Sequence, residues 1–267
     1  MRIIVCVKQV PDTTEVRIDP RTNTLIREGV PSILNPYDQF AVEEAVRLRE
    51  VKGGRVTALS MGPPQARSAL MRCLALGADD AVLLTDRAFA GADTWATSYT
   101  LSLAAKKLGA FDLVLCGQQA IDGDTAQVGP ELAQHLEIPQ VTYVESVECA
   151  DGGLKVRKQT EEGYLLMEVR LPALLALLPP TSFTPGYPPM SGILKAKKKP
   201  YEEWNAEAIG GERTRLGIQG SFTQVVRTYT PPPRGKGVMI EGERAREKAR
   251  NLMEHLSRHR LITEGEQ

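Results

Sequence analysis

An α/β fold, with a mostly parallel sheet covered by helices on both faces, is predicted by three features of this 267-residue chain. Short apolar runs alternate with amphipathic helical stretches over the first two-thirds. The runs are nearly continuous rather than alternating, as strands buried on both faces require. Glycine, asparagine or proline stands at most of the junctions, where helices start and stop.

In order, Arg2–Val7 (R-I-I-V-C-V) reads as a buried strand. Residues 16–27 read as a hairpin turning at D-P-R-T-N. Asn35-Pro36 reads as a helix cap followed by proline at the first helical position. The helix behind it carries Tyr37, Phe40, Ala41, Ala45 and Leu48 on one face and stops at Gly53-Gly54. Arg55–Met61 is the next strand, closed by Gly62-Pro63-Pro64. A helix with Ala66, Ala69, Leu70, Cys73 and Leu74 ends at Gly77, and Ala81–Leu84 is a short strand. Thr94–Leu108 is a helix closed by Gly109, Leu113–Cys116 a buried strand, and Gly117–Asp124 a polar loop. A helix is expected from Thr125 to Leu136 and a strand from Val141.

Residues 144–171 then alternate apolar and polar around D-G-G and E-E-G, the pattern of an antiparallel meander. Leu171–Leu178 returns to the core. Beyond Pro179, prolines at 179, 180, 185, 188, 189 and 231–233 break regular structure, and 200–230 shows no amphipathic element of useful length. Glu241–Ile262 reads as a helix with a narrow stripe of Ala245, Ala249, Leu252, Met253 and Leu256. At about 25 cal/mol per Å² such a stripe does not offset the cost of ordering the segment unless it docks on another surface. The expected organisation is an α/β domain over 1–190 and an extended arm over 191–267.

Composition narrows the function. Hydrophobic residues make up 42% and charged residues 25%, ordinary for a chain with a large core. With 33 basic and 33 acidic residues, binding nucleic acid through bulk charge is not expected. Zero net charge also leaves little self-repulsion, which suits a chain with a permanent partner. The longest apolar run is too short to span a bilayer, and no signal peptide is read at the N-terminus. Cys6, Cys73, Cys116 and Cys149 stand alone and read as buried thiols of a cytoplasmic protein. Any redox role then needs a bound cofactor.

A ligand of an open parallel sheet sits at the carboxyl ends of its strands. Lys8–Asp12, Asn35–Asp38, Met61–Pro64 and Gly117–Pro130 lie there. Q-Q-A-I-D-G-D-T-A-Q-V-G-P is the most informative. Gly117 and Gly123 permit close backbone approach. Asp124 or Thr125 can cap the following helix, whose free N–H groups form an anion site. Thr125 and Gln127 are neutral donors suited to phosphate, whereas Asp122 and Asp124 would repel it and are expected to cap, to bond backbone or to meet a sugar hydroxyl. The loop is equally readable as a capped connection with no ligand, and Asn35 as nothing more than a helix cap. There is no Walker lysine and no G-x-G-x-x-G. His255 and His259 lack a third ligand, His135 reads as an ordinary helix residue, and Asp122-Gly-Asp124 lacks the spacing of a calcium loop. Lys195–Lys199 (K-A-K-K-K) reads as a solvated run, with a docking patch as the lesser reading. No nucleophile sits beside a base, so hydrolysis and acyl transfer have little support.

The segments V-C-V-K-Q-V-P-D-T (5–13), N-P-Y-D-Q-F-A-V-E-E-A (35–45), M-G-P-P (61–64), C-L-A-L-G-A-D (73–79) and Q-A-I-D-G-D-T-A-Q-V-G-P (119–130) resemble the beta subunit of electron transfer flavoprotein. P-G-Y-P-P-M-S-G-I-L-K-A-K-K-K (185–199) is similar to the partner-recognition loop of that family. The resemblance covers essentially the whole chain. It implies a doubly wound domain of the adenine nucleotide alpha hydrolase-like type and an arm that embraces an alpha subunit carrying most of the electron-transferring FAD. In housekeeping members the beta site holds AMP as a structural ligand. In bifurcating members it holds a second FAD that takes hydride from NADH, sending one electron toward an acyl-CoA dehydrogenase partner and the other to ferredoxin or flavodoxin. Small or neutral Gly123, Thr125, Ala126 and Val128, with the N-P-Y-D segment, place this chain nearer the bifurcating type. The resemblance assigns nucleotide contacts to Cys6, Asn35, Asp38, Met61, Gln119, Ala120, Ile121, Asp122, Gly123, Asp124, Thr125, Gln127, Val128 and Gly129, and docking to Tyr187, Met190 and Ile193. Met190 replaces a family leucine anchor, and Gly186 stands where arginine is common. A stand-alone ATP-binding module of the universal-stress type is the competing reading; it would not need residues 179–267. No residue is expected to act as a chemical catalyst.

Overall fold

The computed structural model describes residues 1–12, 31–227, 235 and 237–262, so the hairpin expected at 16–27 lies outside the described residues. The chain divides into two compact units, Met1–Thr228 and Tyr229–Gln267.

The first unit is built on a nine-stranded sheet among the described residues. Its strands are β1 (Arg2–Cys6), β4 (Arg55–Met61), β5 (Asp80–Leu84), β6 (Leu113–Gly117), β7 (Gln140–Ala150), β8 (Gly153–Thr160), β9 (Gly163–Arg170), β10 (Ala173–Leu177) and β11 (Tyr201–Trp204). β2 (Gln9–Pro11) and β3 (Ser32–Leu34) form a separate antiparallel pair. The spatial order is β11-β5-β4-β1-β6-β10-β7-β8-β9. Pairings from β11 through β7 are parallel, and β7-β8-β9 is the expected antiparallel meander.

Helices cover both faces because each central strand is apolar on both. Ile3 and Val5 of β1 face a core shared with α1 (Pro36–Lys52) and α2 (Arg67–Leu76). Ile4 and Cys6 face a second core shared with α3 (Thr94–Leu108) and α4 (Val128–Leu136). β6 and β10 divide their residues the same way, Leu113 and Leu115 to one side and Val114 and Cys116 to the other. Inside α3, buried Thr100 and Ser102 donate to Ala96 O and Tyr99 O, at 2.7 Å each, so their hydroxyls cost nothing unpaired.

The two units part at Thr228/Tyr229, whereas composition put the start of the arm at 191. Residues 191–227 join the first unit. In α5 (Met190–Ala196), Ala196 is buried in the first core. β11 pairs with β5, and α6 (Gly217–Gly220) follows. β11 reads Y-E-E-W with only partly buried ends, so apolar periodicity does not reveal it. Lys199 is not a solvated end of the lysine run. Its Nζ donates to Leu74 O (2.9 Å) and to Ala78 O, closing the carboxyl end of α2, and burial lowers its pKa.

In the second unit α7 (Ala245–Arg258) begins later than expected. None of its residues is buried, and Leu252 and Met253 stand exposed. No helix among the described residues is long and apolar enough to cross a membrane.

Candidate functional site

The chain runs from β1 through α1 to β4 on one side, then returns from β5 through α3 to β6 on the other side of β1. β1 and β6 are therefore neighbours at a topological switch point, the crevice where open α/β sheets hold ligands. The loops after β1 and β6 and the start of α1 meet there.

Asn35 is fully buried, and its side chain makes no cap bond to α1. The amide instead reaches across the crevice. Nδ2 donates to Gln119 O (2.9 Å), and Oδ1 accepts from Ile121 N (3.3 Å). Asn35 does stand at the N-cap position with Pro36 first in the helix, as expected, but its side-chain bonds belong to the loop after β6.

Asp38, one turn along α1, is 6% exposed. Its Oδ2 accepts from Lys8 N (2.7 Å) and its Oδ1 from Gly117 N (3.0 Å). One carboxylate thus joins the carboxyl ends of β1 and β6. Burial pushes its pKa up to about 7, against the opposing pull of those donors. A Cβ on Gly117 would lie 2.5 Å from Asp38 Oδ1 and 2.6 Å from Tyr37 Cβ, so the close approach of α1 to β6 requires glycine.

The acidic residues of the loop are spoken for. Lys8 Nζ pairs with Asp122 Oδ1 at 2.7 Å, and Gln119 Nε2 donates to Asp124 Oδ1. Neither aspartate caps α4, which starts at Val128 rather than Thr125. Positive φ at Asp124 and Ala126 (55° each) delays the helix. The N-cap Gln127 is right-handed and gives no side-chain cap. Positive-φ Ala126 is followed by right-handed Gln127, the kind of backbone alternation from which anion-binding nests are built. The N–H groups of Thr125, Ala126, Gln127, Val128 and Gly129 find no acceptor among the described residues. They form a run of neutral donors ending at the positive end of a helix.

Space is distributed unequally around this run. A Cβ on Gly123 would meet nothing within 4 Å. A Cβ on Gly129 would lie 2.9 Å from Cys116 Sγ, so the helix start is pressed onto β6. Thr125, Gln127 and Gly123 are exposed, and Val128 is half-buried. Donor type and the space at Gly123 fit a phosphate or pyrophosphate, and Asp122 and Asp124 are each held by a donor of their own.

The remaining expected residues fall as follows. Cys6 is buried at the end of β1, and burial, with Asp38 nearby, raises its thiol to about 12, so it stays protonated. Met61 ends β4 and packs partly buried against the α3–α4 core. Gln119 and Ala120 are half-buried and Ile121 is exposed. Tyr187, Met190 and Ile193 are exposed on α5 and its approach. Cys149, expected to be buried, is only half-buried. His135 packs at a tilt against Trp95 (4.4 Å between ring centroids), with Nε2 buried and unpaired among the described residues and its pKa lowered by burial. His255 and His259 lie 4.5 Å apart.

Two contributors were missed in the sequence. In the sequence Lys8 reads only as the start of a loop, although Asp122 in an anion site needs a cation beside it. Gln118 is 3% exposed, and its Oε1 accepts from Tyr143 N at 2.6 Å, fastening the same loop to β7. Nothing in its neighbourhood in sequence marks it.

The fold and the crevice define a class: doubly wound α/β proteins with a run of backbone donors at the switch point. Residues 22–209 match the family model described as the electron transfer flavoprotein domain. The chain is 51% identical to the caffeyl-CoA reductase-Etf complex subunit CarD of Acetobacterium woodii, over 98% of this chain and all of that protein. It is 54% identical to the electron transfer flavoprotein subunit beta of Clostridium acetobutylicum, over 90% of this chain and 92% of that protein. It is 42% identical to the acryloyl-CoA reductase electron transfer subunit gamma of Anaerotignum propionicum, over 98% of this chain and all of that protein. The chain belongs to the electron transfer flavoprotein family, as a beta subunit that works with an alpha subunit in electron transfer.

Proposed function

We propose that the switch-point crevice holds the FAD of a bifurcating electron transfer flavoprotein, and that the assembled heterodimer takes electrons from NADH. The observation that supports this most is the N–H run Thr125–Gly129, unpaired among the described residues, beside the open space at Gly123. A diphosphate gains about 0.3–1 kcal/mol per charge from a helix start, more when partly buried. A bound flavin would supply hydride acceptance and one-electron release. The chain's own residues bind and orient. Thr125–Gly129 receive phosphate oxygens, Asn35 and Asp38 hold the loops on either side, and Lys8 keeps Asp122 neutralised. Cys6, kept as a thiol, stays out of the electron path.

Partners follow from names and surfaces. Two relatives are named as subunits of CoA-ester reductase systems. That favours an acyl-CoA dehydrogenase-type partner docking on Tyr187, Met190 and Ile193, with ferredoxin or flavodoxin as the second acceptor. The unburied apolar stripe of α7 supports an arm that packs on the alpha subunit. The unpaired cysteines suit a reducing compartment such as the cytoplasm.

The same N–H groups would also receive the single phosphate of AMP. Purified heterodimer, denatured and assayed for flavin by absorbance and for AMP by chromatography, separates the two. Two FAD per heterodimer is expected. One FAD with one AMP overturns the bifurcating reading, and a nucleotide-loaded homodimer without alpha overturns both.

A further inference from the structure

The segment proposed above to dock the dehydrogenase exposes its apolar side chains while its backbone is held hard. Tyr187 is 89% and Met190 72% exposed. Just before them, both polar backbone groups of Gly186 are bound by α1. Gly186 N donates to Glu43 Oε1 at 2.8 Å, and Gly186 O accepts from Gln39 Nε2 at 2.8 Å. Gln39 and Glu43 are four apart on one helix face, and Gln39 Nε2 also donates to Glu43 Oε1 at 2.8 Å. Gln39 is 5% exposed, and Arg72 of α2 donates to its Oε1 from Nε (3.2 Å) and Nη2 (3.1 Å), fixing which way the amide points. Phe183 packs edge-on against Phe40 with centroids 4.8 Å apart. A Cβ on Gly186 would press on Glu43 Oε1 at 3.3 Å, so the glycine also suits the close seat.

We infer that Gln39 and Glu43 are positioning residues for partner docking: an amide–carboxylate clamp on Gly186 that sets Tyr187 and Met190 in the geometry the dehydrogenase receives. The inference rests on the docking reading of those side chains. The physical reason is preorganisation. A proline-rich segment with exposed apolar side chains must otherwise be ordered at each encounter, and that cost is subtracted from affinity. The clamp removes it in advance. Its residues lie one and two turns beyond Asn35, on the same helix as Asp38, so the helix that organises the crevice also mounts the docking surface.

The test uses the alpha–beta heterodimer with a short-chain acyl-CoA dehydrogenase that exchanges electrons with the wild type. Glu43→Ala places a better helix former on α1, so folding is not at stake. It is expected to raise the KM for the dehydrogenase about tenfold, with bound nucleotide, flavin spectrum and turnover with a small dye unchanged. Glu43→Gln keeps an acceptor oxygen and is expected within about twofold of wild type. Hydrogen exchange of the Gly186 amide should be slow in wild type and Glu43→Gln, and fast in Glu43→Ala. Met190→Ala tests the docking reading by itself. If Met190→Ala raises KM and Glu43→Ala does not, the clamp is refuted and the docking reading stands. If neither changes KM, both fall. A Gly186 amide that stays protected in Glu43→Ala also overturns the clamp.

Discussion

Replacing Asn35 with alanine removes a buried amide that touches no part of the first helix beyond its own turn, yet it should loosen the loop on the other side of the crevice. Two hydrogen bonds are lost, at 2.9 Å to Gln119 O and 3.3 Å from Ile121 N. A buried group left unpaired costs about 1–3 kcal/mol. Gln119 is only half-buried and Ile121 is exposed, so water takes over part of the role. The total is then about 2 kcal/mol rather than the sum of two full penalties. Two readouts separate stability from site order. Denaturant unfolding should show a loss of about 2 kcal/mol without a change of slope. Titration of nucleotide into nucleotide-stripped heterodimer should show affinity weakened about thirtyfold, because the loop must be re-ordered on binding. Asn35→Asp should be worse than alanine: a carboxylate cannot donate to Gln119 O, and it adds a second buried acid beside Asp38. If Asn35→Ala binds nucleotide within twofold of wild type, the amide does not organise the site.

Three other outcomes are expected. Gly117→Ala should destabilise by about 3 kcal/mol, since its Cβ meets Asp38 and Tyr37 backbone, whereas Gly123→Ala should leave unfolding unchanged; equal effects in calorimetry would refute the close-approach argument. Asp38 has a folded pKa raised from 3.8 to about 7, so the unfolded chain loses that proton first as pH rises. Its contribution is fully present below about pH 4 and declines through pH 7, by roughly 4 kcal/mol in total; Asp38→Asn should flatten that slope in urea midpoints measured across pH 4–8. Deleting residues 231–267 should abolish assembly with the alpha subunit while Met1–Thr228 still unfolds cooperatively; a full complex by gel filtration would refute the docking role of the arm.

The strand and helix order was legible wherever burial left a periodic mark. β4 and α3 fall where apolar runs and glycines put them, because buried strands must be apolar throughout and helices must end where carbonyls can be closed. The meander was legible from its alternation and its glycine turns. β11 was not, because a polar edge strand buries too little to leave a pattern. In the crevice, the residue types of 119–130 already pointed to an anion and to a family. What each side chain does there was decided by partners far along the chain. Asn35 was legible as the residue that begins α1, but only the return of β6 beside β1 brings Gln119 and Ile121 within reach of its side chain. Asp122 looked like a repelling charge until Lys8, 114 residues earlier, was beside it. Local sequence determines which backbone conformations are cheap and which faces must be hidden. Hydrogen-bond partners at a switch point come from strands adjacent in space but remote in sequence, so the tertiary structure alone assigns them.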